Sequence, residues 1–429
     1  MGELLKGGTL VDLAEPLVVR EDLRVDGGAI VARGPELVPE PGERVTDLAG
    51  KLVMGGLVAA HTHLYATLAR GLPAPTPRPK SLLERLERET WKLDRALDLE
   101  TVALSAQVGA AEALRCGVTT LVDHHSSPSF IEGSLDAVRE GVNRVGLRAA
   151  LCCEVSDRHG TASRASALRE TERFLGSAPS GRFLGMVGGH ASFTMENETL
   201  ESLGGLAKAF GAGLHLHVAE SLEDEQQSVR RFEQGIVARL EKADLLGPHT
   251  LLAHCIHLEW GDFSKLQTHG SWLVHCARSD MERCAGYAPA GKFGARKALG
   301  IDGLGGDILA EGQAAFLRGQ EAGFDIDITR WHAGGQALAS DLFGMPLGPL
   351  RPGAAADLVV LDYPCLTPLA SETLPGHLAL GITSSHVDAV MVDGAWRLWA
   401  REILSFDEAE LRAKAEASAR TLWSRMREL

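Results

Sequence analysis

Eight short apolar runs, each followed by a stretch of helical texture, constrain this chain more than any other feature. In order they read LVMGGLVAAHTH, VTTLVDHH, VGLRAALCCEV, FLGMVGGHASF, GAGLHLHVAE, TLLAHCIHL, SWLVHCARS and KALGIDG, and they recur every 20 to 65 residues or so. Strands covered on both faces read as continuous apolar runs, and strands alternating with helices build parallel βαβ units. Eight such units predict an α/β chain folded as a (β/α)8 barrel of the TIM type.

The two ends have a different texture. Residues 1–55 alternate apolar and polar positions between glycine turns (LLKGGTLVD, DLRVDGGAIVARG, GKLVMGG), and the pattern returns in RPGAAADLVVLD and HVDAVMVDGAWRL. Short antiparallel strands are expected there. The expected organisation is a small composite β-sandwich domain from 1–55 and 350–402, a barrel over 56–349, and a docking helix over 403–429. Ser405 and Glu408 have the spacing of a capping box before Leu411, Ala415, Ala419, Leu422 and Met426. Val229, Phe232, Ile236, Val237 and Leu240 predict one helix over about 223–241 with a barrel-facing stripe. The proline-rich LPAPTPRPK at 72–80 predicts an irregular loop placed to cover the barrel mouth.

Composition excludes several partners. The 429 residues carry 43 Lys and Arg against 57 Asp and Glu, a net charge of −14, with no basic patch to attract nucleic acid or an anionic membrane surface. No apolar run reaches the ~18 residues of a membrane span, and the start lacks the apolar core of a secretion signal. The expected compartment is the cytoplasm. Seven cysteines without framework spacing are expected to be reduced and mostly buried.

The chemistry lies in where polar residues interrupt these runs. His61, His63, His124, His190, His215, His217, His254, His275 and Asp302 all fall at carboxyl ends, the face at which such barrels hold their active sites. A single histidine there is more often structural, but so many converging after burial need a shared purpose. His61 and His63 point to the same side of an extended strand, a spacing that can chelate one metal. His217 adds a third imidazole, Glu220 a carboxylate where the strand gives way to its loop, and Asp302 ends the eighth run. Three histidines and one aspartate around a divalent ion leave a position for water.

The ordered set GGLVAAHTHLY, WKLDRALD, GVTTLVDHHSSPS, GLRAALCCEVSDRHG, GGHASFT, HLHVAE, AHCIHL, LGIDG, ADLVVLD and HVDAVMVDG resembles the amidohydrolase superfamily across essentially the whole chain. It is most similar to the branch of mononuclear-metal deaminases and chlorohydrolases acting on N-heterocycles, and within it to SsnA-type aminohydrolases. The resemblance implies His61, His63, His217 and Asp302 as metal ligands, Glu220 as proton shuttle, His254 as partner of the attacking water and His190 as a substrate contact. Binuclear relatives carry a carboxylated lysine at the end of the fourth strand, where this chain reads GMVGGHASF. One divalent metal per chain is therefore expected, zinc before iron, as is a homo-oligomer such as a dimer. The implied activity is hydrolytic deamination of a purine-, pyrimidine- or triazine-like ring. The alternatives are ring opening of a cyclic amide of the hydantoin or imidazolone type, and a non-catalytic metal-binding homologue.

Further contacts are less specific. His124 and His125 open the loop after the second strand beside Ser126 and Ser127, and Trp91 is placed to stack on a flat ring or to fill a helix core. His215 faces the same side as His217 and is read as a buttress more than as a ligand. After the seventh strand relatives read His-Asn-Pro-x-Ser-Asn, whereas this chain has His275-Cys276-Ala277-Arg278-Ser279-Asp280, followed by Glu282 and Arg283. Ser279 matches, and an inward-pointing Arg283 or Arg278 would select a carboxylate or oxyanion; the other reading is a solvated loop arginine. GYAPAGK imitates a phosphate loop, but Phe293 occupies the hydroxyl position.

Overall fold

The computed structural model describes residues 2–178 and 180–429. Among them the eight runs supply eight parallel strands: β1 (Leu57–Thr62), β2 (Val118–His125), β3 (Arg148–Val155), β4 (Val187–Gly189), β5 (Leu214–Val218), β6 (Thr250–His254), β7 (Trp272–His275) and β8 (Lys297–Leu299). They pair in sequence order from β1 to β8. The ring is closed by a bridge between Thr62 and Asp302, with the His61 carbonyl accepting from the amides of Ile301 and Asp302 at 2.9 and 3.0 Å. The result is a (β/α)8 barrel. The fourth run is divided: Phe183–Gly185 pairs with the start of β3, and Val187–Gly189 continues along its end.

The first run is also divided, because it serves two sheets. Leu52–Gly55 joins a seven-stranded sheet in which it lies antiparallel to Leu358–Leu361, so distant segments meet. Gly55 and Gly56 make the transfer into β1. A Cβ on Gly55 would stand 1.9 Å from the Gly348 carbonyl oxygen, and one on Gly56 2.1 Å from Thr119 Oγ1, so neither position admits a side chain.

Period-two alternation gives this sheet two apolar faces. Leu10, Val53, Leu358, Val360, Ala389 and Met391 pack with Leu5, Leu23 and Ile30 of a four-stranded sheet. Their neighbours Val11, Leu52, Met54, Val359 and Leu361 join the core that is continuous with the barrel. The sheet is thus one half of a sandwich and also a layer against the barrel.

Two sequence expectations need correction. The stretch 223–241 is two helices, Leu222–Phe232 and Ile236–Lys242, separated at Glu233, whose φ is 55°. Ile236, Val237 and Leu240 are buried, whereas Val229 is 50% exposed and Phe232 lies 3.5 Å beneath the Arg239 guanidinium. The stripe belongs to the second helix alone. At the other end, Ser405 does not cap the final helix, Glu408–Glu428; Asp407 does, accepting from the amides of Ala409 and Glu410. That helix packs behind the segment after β1, where Trp423 Nε1 donates to the Leu68 carbonyl at 2.9 Å. All seven cysteines are free thiols. Among the described residues no helix is long and apolar enough to cross a membrane.

At the amino end of β3 a buried ion pair ties the barrel to the seven-stranded sheet. Arg148 Nε and Nη2 reach the two Asp357 oxygens at 3.0 and 3.2 Å, and both side chains are 2% exposed. Removing one partner leaves an uncompensated buried charge, at a cost of roughly 3–5 kcal/mol. Arg148→Ala is therefore expected to lower the unfolding free energy by about that amount, and the double replacement Arg148→Met with Asp357→Leu to recover most of it. Denaturant titration of the three proteins checks this; a single-variant loss below about 1 kcal/mol would remove the pair from any role in stability.

Candidate active site

The carboxyl ends of the strands converge as their register requires. His61 and His63 sit either side of Thr62 at the end of β1, His217 on β5, His254 at the end of β6 and Asp302 just beyond β8. His63 Nε2 lies 3.1 Å from His217 Nε2 and 3.2 Å from Asp302 Oδ1, and His61 Nε2 lies 3.8 Å from the same oxygen. Two nitrogens bound ~2.0–2.1 Å from one tetrahedral zinc stand roughly 3.3 Å apart, so this spacing is that of a shared ligand.

Their outer hydrogen bonds leave the inner atoms available. His63 Nδ1 donates to the His124 carbonyl at 2.7 Å, and His61 Nδ1 is bonded to His215 Nε2 at 2.8 Å. Outer partners of this kind fix the ring so that Nε2 presents its lone pair to a metal. His61 Nε2 and Asp302 Oδ1 are buried without a hydrogen-bond partner among the described residues. Burial holds the pKa of His61 and His217 well below the ordinary histidine value, with neighbouring imidazoles adding to the effect. Burial would raise Asp302, but Arg283, His63, His254 and the Ser279 hydroxyl outweigh it and keep the carboxyl well below its ordinary value. Unprotonated imidazoles at His61 and His217, with His63 and an ionised carboxylate beside them, form a donor set that fits a divalent metal.

His254 behaves differently. Burial alone would lower its pKa, yet Glu220, Asp280 and Asp302 raise it to about 9. Its Nδ1 donates to Asp280 Oδ1 at 2.9 Å, and its Nε2 lies 3.9 Å from Glu220 Oε2. Asp280 thus orients the ring, a role the sequence reading missed. The only signal was an acidic residue where relatives carry Asn.

Backbone strain marks the same rim. Ala219, His254, Cys255 and Asp302 have φ of 50°, 74°, 54° and 51°. Non-glycine residues adopt this region at a cost of order 1–3 kcal/mol each and only where surroundings impose it. Here the bonds are explicit: the Cys255 amide donates to the Val218 carbonyl at 2.9 Å, and the amides of Ile256 and His257 both donate to the Ala219 carbonyl, at 3.1 and 3.0 Å.

A cavity of about 380 Å³ opens above these groups, walled by His63, His190, His217, Glu220 and Arg283. His190 Nδ1 donates to Thr194 Oγ1 at 3.0 Å, because that hydroxyl itself donates to the Ala191 carbonyl. Its Nε2 is left as an acceptor. The segment after β1 contributes Arg70, Gly71 and Leu72 at the mouth, and Met426 of the final helix also reaches it.

Other predicted contacts lie behind this wall. His124 and His125 are fully buried; His124 Nε2 donates to the Gly189 carbonyl, and His125 Nε2 to Ser127 Oγ. Ser279 donates to Asp302 Oδ2. The Trp91 ring packs under the Arg158 guanidinium at 5.2 Å. Arg278 turns away, toward the Asp307 carbonyl and Glu311, whereas Arg283 points in, 3.2 Å from Glu220 and 3.2 Å from Asp302. One polar cluster went unread in the sequence: Arg158 bridges Asp94 at 2.8 Å and Glu154 at 2.5 Å on the cavity floor. Burial raises the Asp94 pKa to about 7, partly opposed by Arg158. Glu154 and Arg158 stand four apart across the end of β3, a signal that was present but has no meaning until the loop's direction is known.

Comparisons with known proteins bear on the fold and the family. The model of the amidohydrolase family matches residues 52–397. A 5-methylthioadenosine/S-adenosylhomocysteine deaminase of Pelotomaculum thermopropionicum is 30% identical over 445 residues, covering 98% of this chain and 99% of the relative. A 5'-deoxyadenosine deaminase of Methanosarcina barkeri is 30% identical over 428 residues, covering 97% and 95%. The crystal structure of an adenosine deaminase from Xanthomonas campestris with bound zinc superposes with a TM-score of 0.85 at 23% identity, covering 100% of this chain and 99% of that one. The chain belongs to the amidohydrolase family.

Proposed function

We propose that this cavity hydrolytically deaminates an N-heterocyclic small molecule, exchanging a ring amino group for oxygen and releasing ammonia. The observation that carries the reading is the junction of two devices: the three clustered imidazoles of His61, His63 and His217 with the Asp302 carboxylate against them, and, on the adjoining wall, Glu220 beside an oriented His254. A structural metal site needs the first and has no use for the second. The deaminase relatives support the same reaction.

His61, His63, His217 and Asp302 would hold one divalent ion. Three imidazole nitrogens and one carboxylate oxygen, without a thiolate, suit zinc, and the zinc-bound Xanthomonas structure supports that choice. The absence of lysine from GMVGGHASF supports a single ion. When bound, such an ion lowers the pKa of water toward ~7 and supplies a nucleophile at neutral pH.

The chain's own groups do the rest. Asp302 accepts the proton that the attacking water gives up and returns it to the departing amine. Glu220 gives a proton to the ring nitrogen next to the attacked carbon, so that addition does not leave a full negative charge on the ring, and takes one back from the added hydroxyl as the carbon–oxygen double bond forms. His254, held by Asp280, hydrogen-bonds the attacking oxygen. His190, through its free Nε2, accepts from a ring N–H.

Two expected outcomes test these roles. Glu220→Gln keeps the metal, about one equivalent per chain by elemental analysis, but loses ~10²–10⁴-fold in kcat on whichever aminated ring releases ammonia; a near-normal rate would sink the shuttle assignment. Asp280→Ala likewise keeps its metal but loses its hold on the His254 ring. It is expected to lower kcat by at least ~10-fold with little change in KM, since misorientation acts on the transition state; an unchanged kcat would mean that His254 needs no orienting partner.

A further inference from the structure

Four arginines wall the cavity, and they are not equally occupied. Arg70 is held by both oxygens of Glu112 at 2.5 and 2.8 Å, Arg85 by Glu282 at 2.5 Å, and Arg158 by Asp94 at 2.8 Å and Glu154 at 2.5 Å. Among the described residues the Arg283 guanidinium has only the two longer contacts of 3.2 Å, to Glu220 and Asp302. Both of its partners have other work. Asp302 Oδ2 already accepts from Ser279 while Oδ1 faces the histidines, and Glu220 is the proposed proton carrier. A guanidinium has five N–H donors in a planar fork, and in this side chain one makes a hydrogen bond of acceptable geometry, to Glu220 Oε1.

The contrast with its neighbours in sequence reinforces the point. Arg278, one turn earlier, is spent on the Asp307 carbonyl and Glu311 outside the cavity. Arg283 ends the same short helix, Ala277–Glu282, and its side chain is 17% exposed, toward the cavity. Its charge therefore stands within the reaction centre itself, between the proton carrier and a metal ligand.

We infer that Arg283 is a specificity residue that selects a heterocycle bearing a ring carboxylate close to the carbon that is attacked. A planar fork with unspent donors in a desolvated wall is matched by a two-oxygen anion. The same fork offers little to a neutral aminopurine, so the ring preferred here differs from those that the names of the deaminase relatives describe. The inference rests on the heterocycle reading of the cavity and goes beyond it by naming the group that sorts one heterocycle from another.

The test is binding, so that it stands apart from turnover. Metal-replete protein is titrated calorimetrically with two matched pairs of unreactive rings, orotate against uracil and purine-6-carboxylate against purine. The carboxylate member of at least one pair is expected to bind ten-fold or more tightly than its neutral partner. Arg283→Gln abolishes that preference, and Arg283→Lys keeps a part of it, since the charge remains but the fork is lost; melting temperatures of both variants establish that they are folded. Equal affinities within both pairs, binding of none of the four rings, or a preference that survives in Arg283→Gln would each overturn the proposal. If the preference is found and no aminated ring releases ammonia, the deamination reading fails while the role of Arg283 stands. If ammonia is released without any such preference, the reverse holds.

Discussion

Desolvation is the constraint from which the rest of the site follows. Imidazoles at positions 61, 63, 217 and 254 are at most 8% exposed, and a buried group must shed its charge or find a partner for it. His61 and His217 shed theirs and so present lone pairs. His254 keeps its proton because Glu220 and Asp280 flank it. One environment thus produces two kinds of histidine: neighbouring imidazoles reinforce burial at His61 and His217, and carboxylates overcome it at His254. The closing bonds of the barrel belong to the same device: the His61 carbonyl receives the Asp302 amide, so sealing β8 against β1 also delivers the carboxylate to the imidazoles.

What could be read from the sequence and what could not divide along a physical line. Strand identity and the side on which alternate residues point are local properties, and a histidine that ends an apolar run must lie at the barrel rim. His61, His63, His217 and Asp302 were legible for that reason. Asp280, Asp94, Glu154 and Arg158 were not, because each acts through a partner on another strand or loop. Their pairing depends on backbone paths after the strands, where Ala219 and Cys255 take left-handed conformations that their propensities disfavour. The helix break at Glu233 is a failure of the same type. Its periodic apolar residues fit one long helix, but the burial that would have rewarded Val229 is absent.

The ends of the chain illustrate the opposite case, in which weak local signals are strengthened by tertiary context. Strands of four residues such as Leu52–Gly55 and Leu358–Leu361 have little stability of their own. They persist because alternate side chains enter two cores at once, the sandwich and the barrel. Their partner choice was legible only as shared texture, since register is set by which residues must face which core.

Strand β3 joins these arguments within eight residues. Its first side chain, Arg148, is locked to Asp357 at the closed end of the barrel, and its seventh, Glu154, stands on the cavity floor with Arg158. Both are buried ionic groups, yet they answer to different demands. The pair at the amino end has both oxygens of Asp357 committed, to the guanidinium and to the Asp393 amide, and is complete without a ligand. At the carboxyl end one guanidinium is shared between two carboxylates, and burial raises the Asp94 pKa to about 7, with Arg158 opposing the rise and Glu154 adding to it. The separation of stability from chemistry along the barrel axis is visible in what each pair faces: the seven-stranded sheet at the amino end, and the cavity at the carboxyl end.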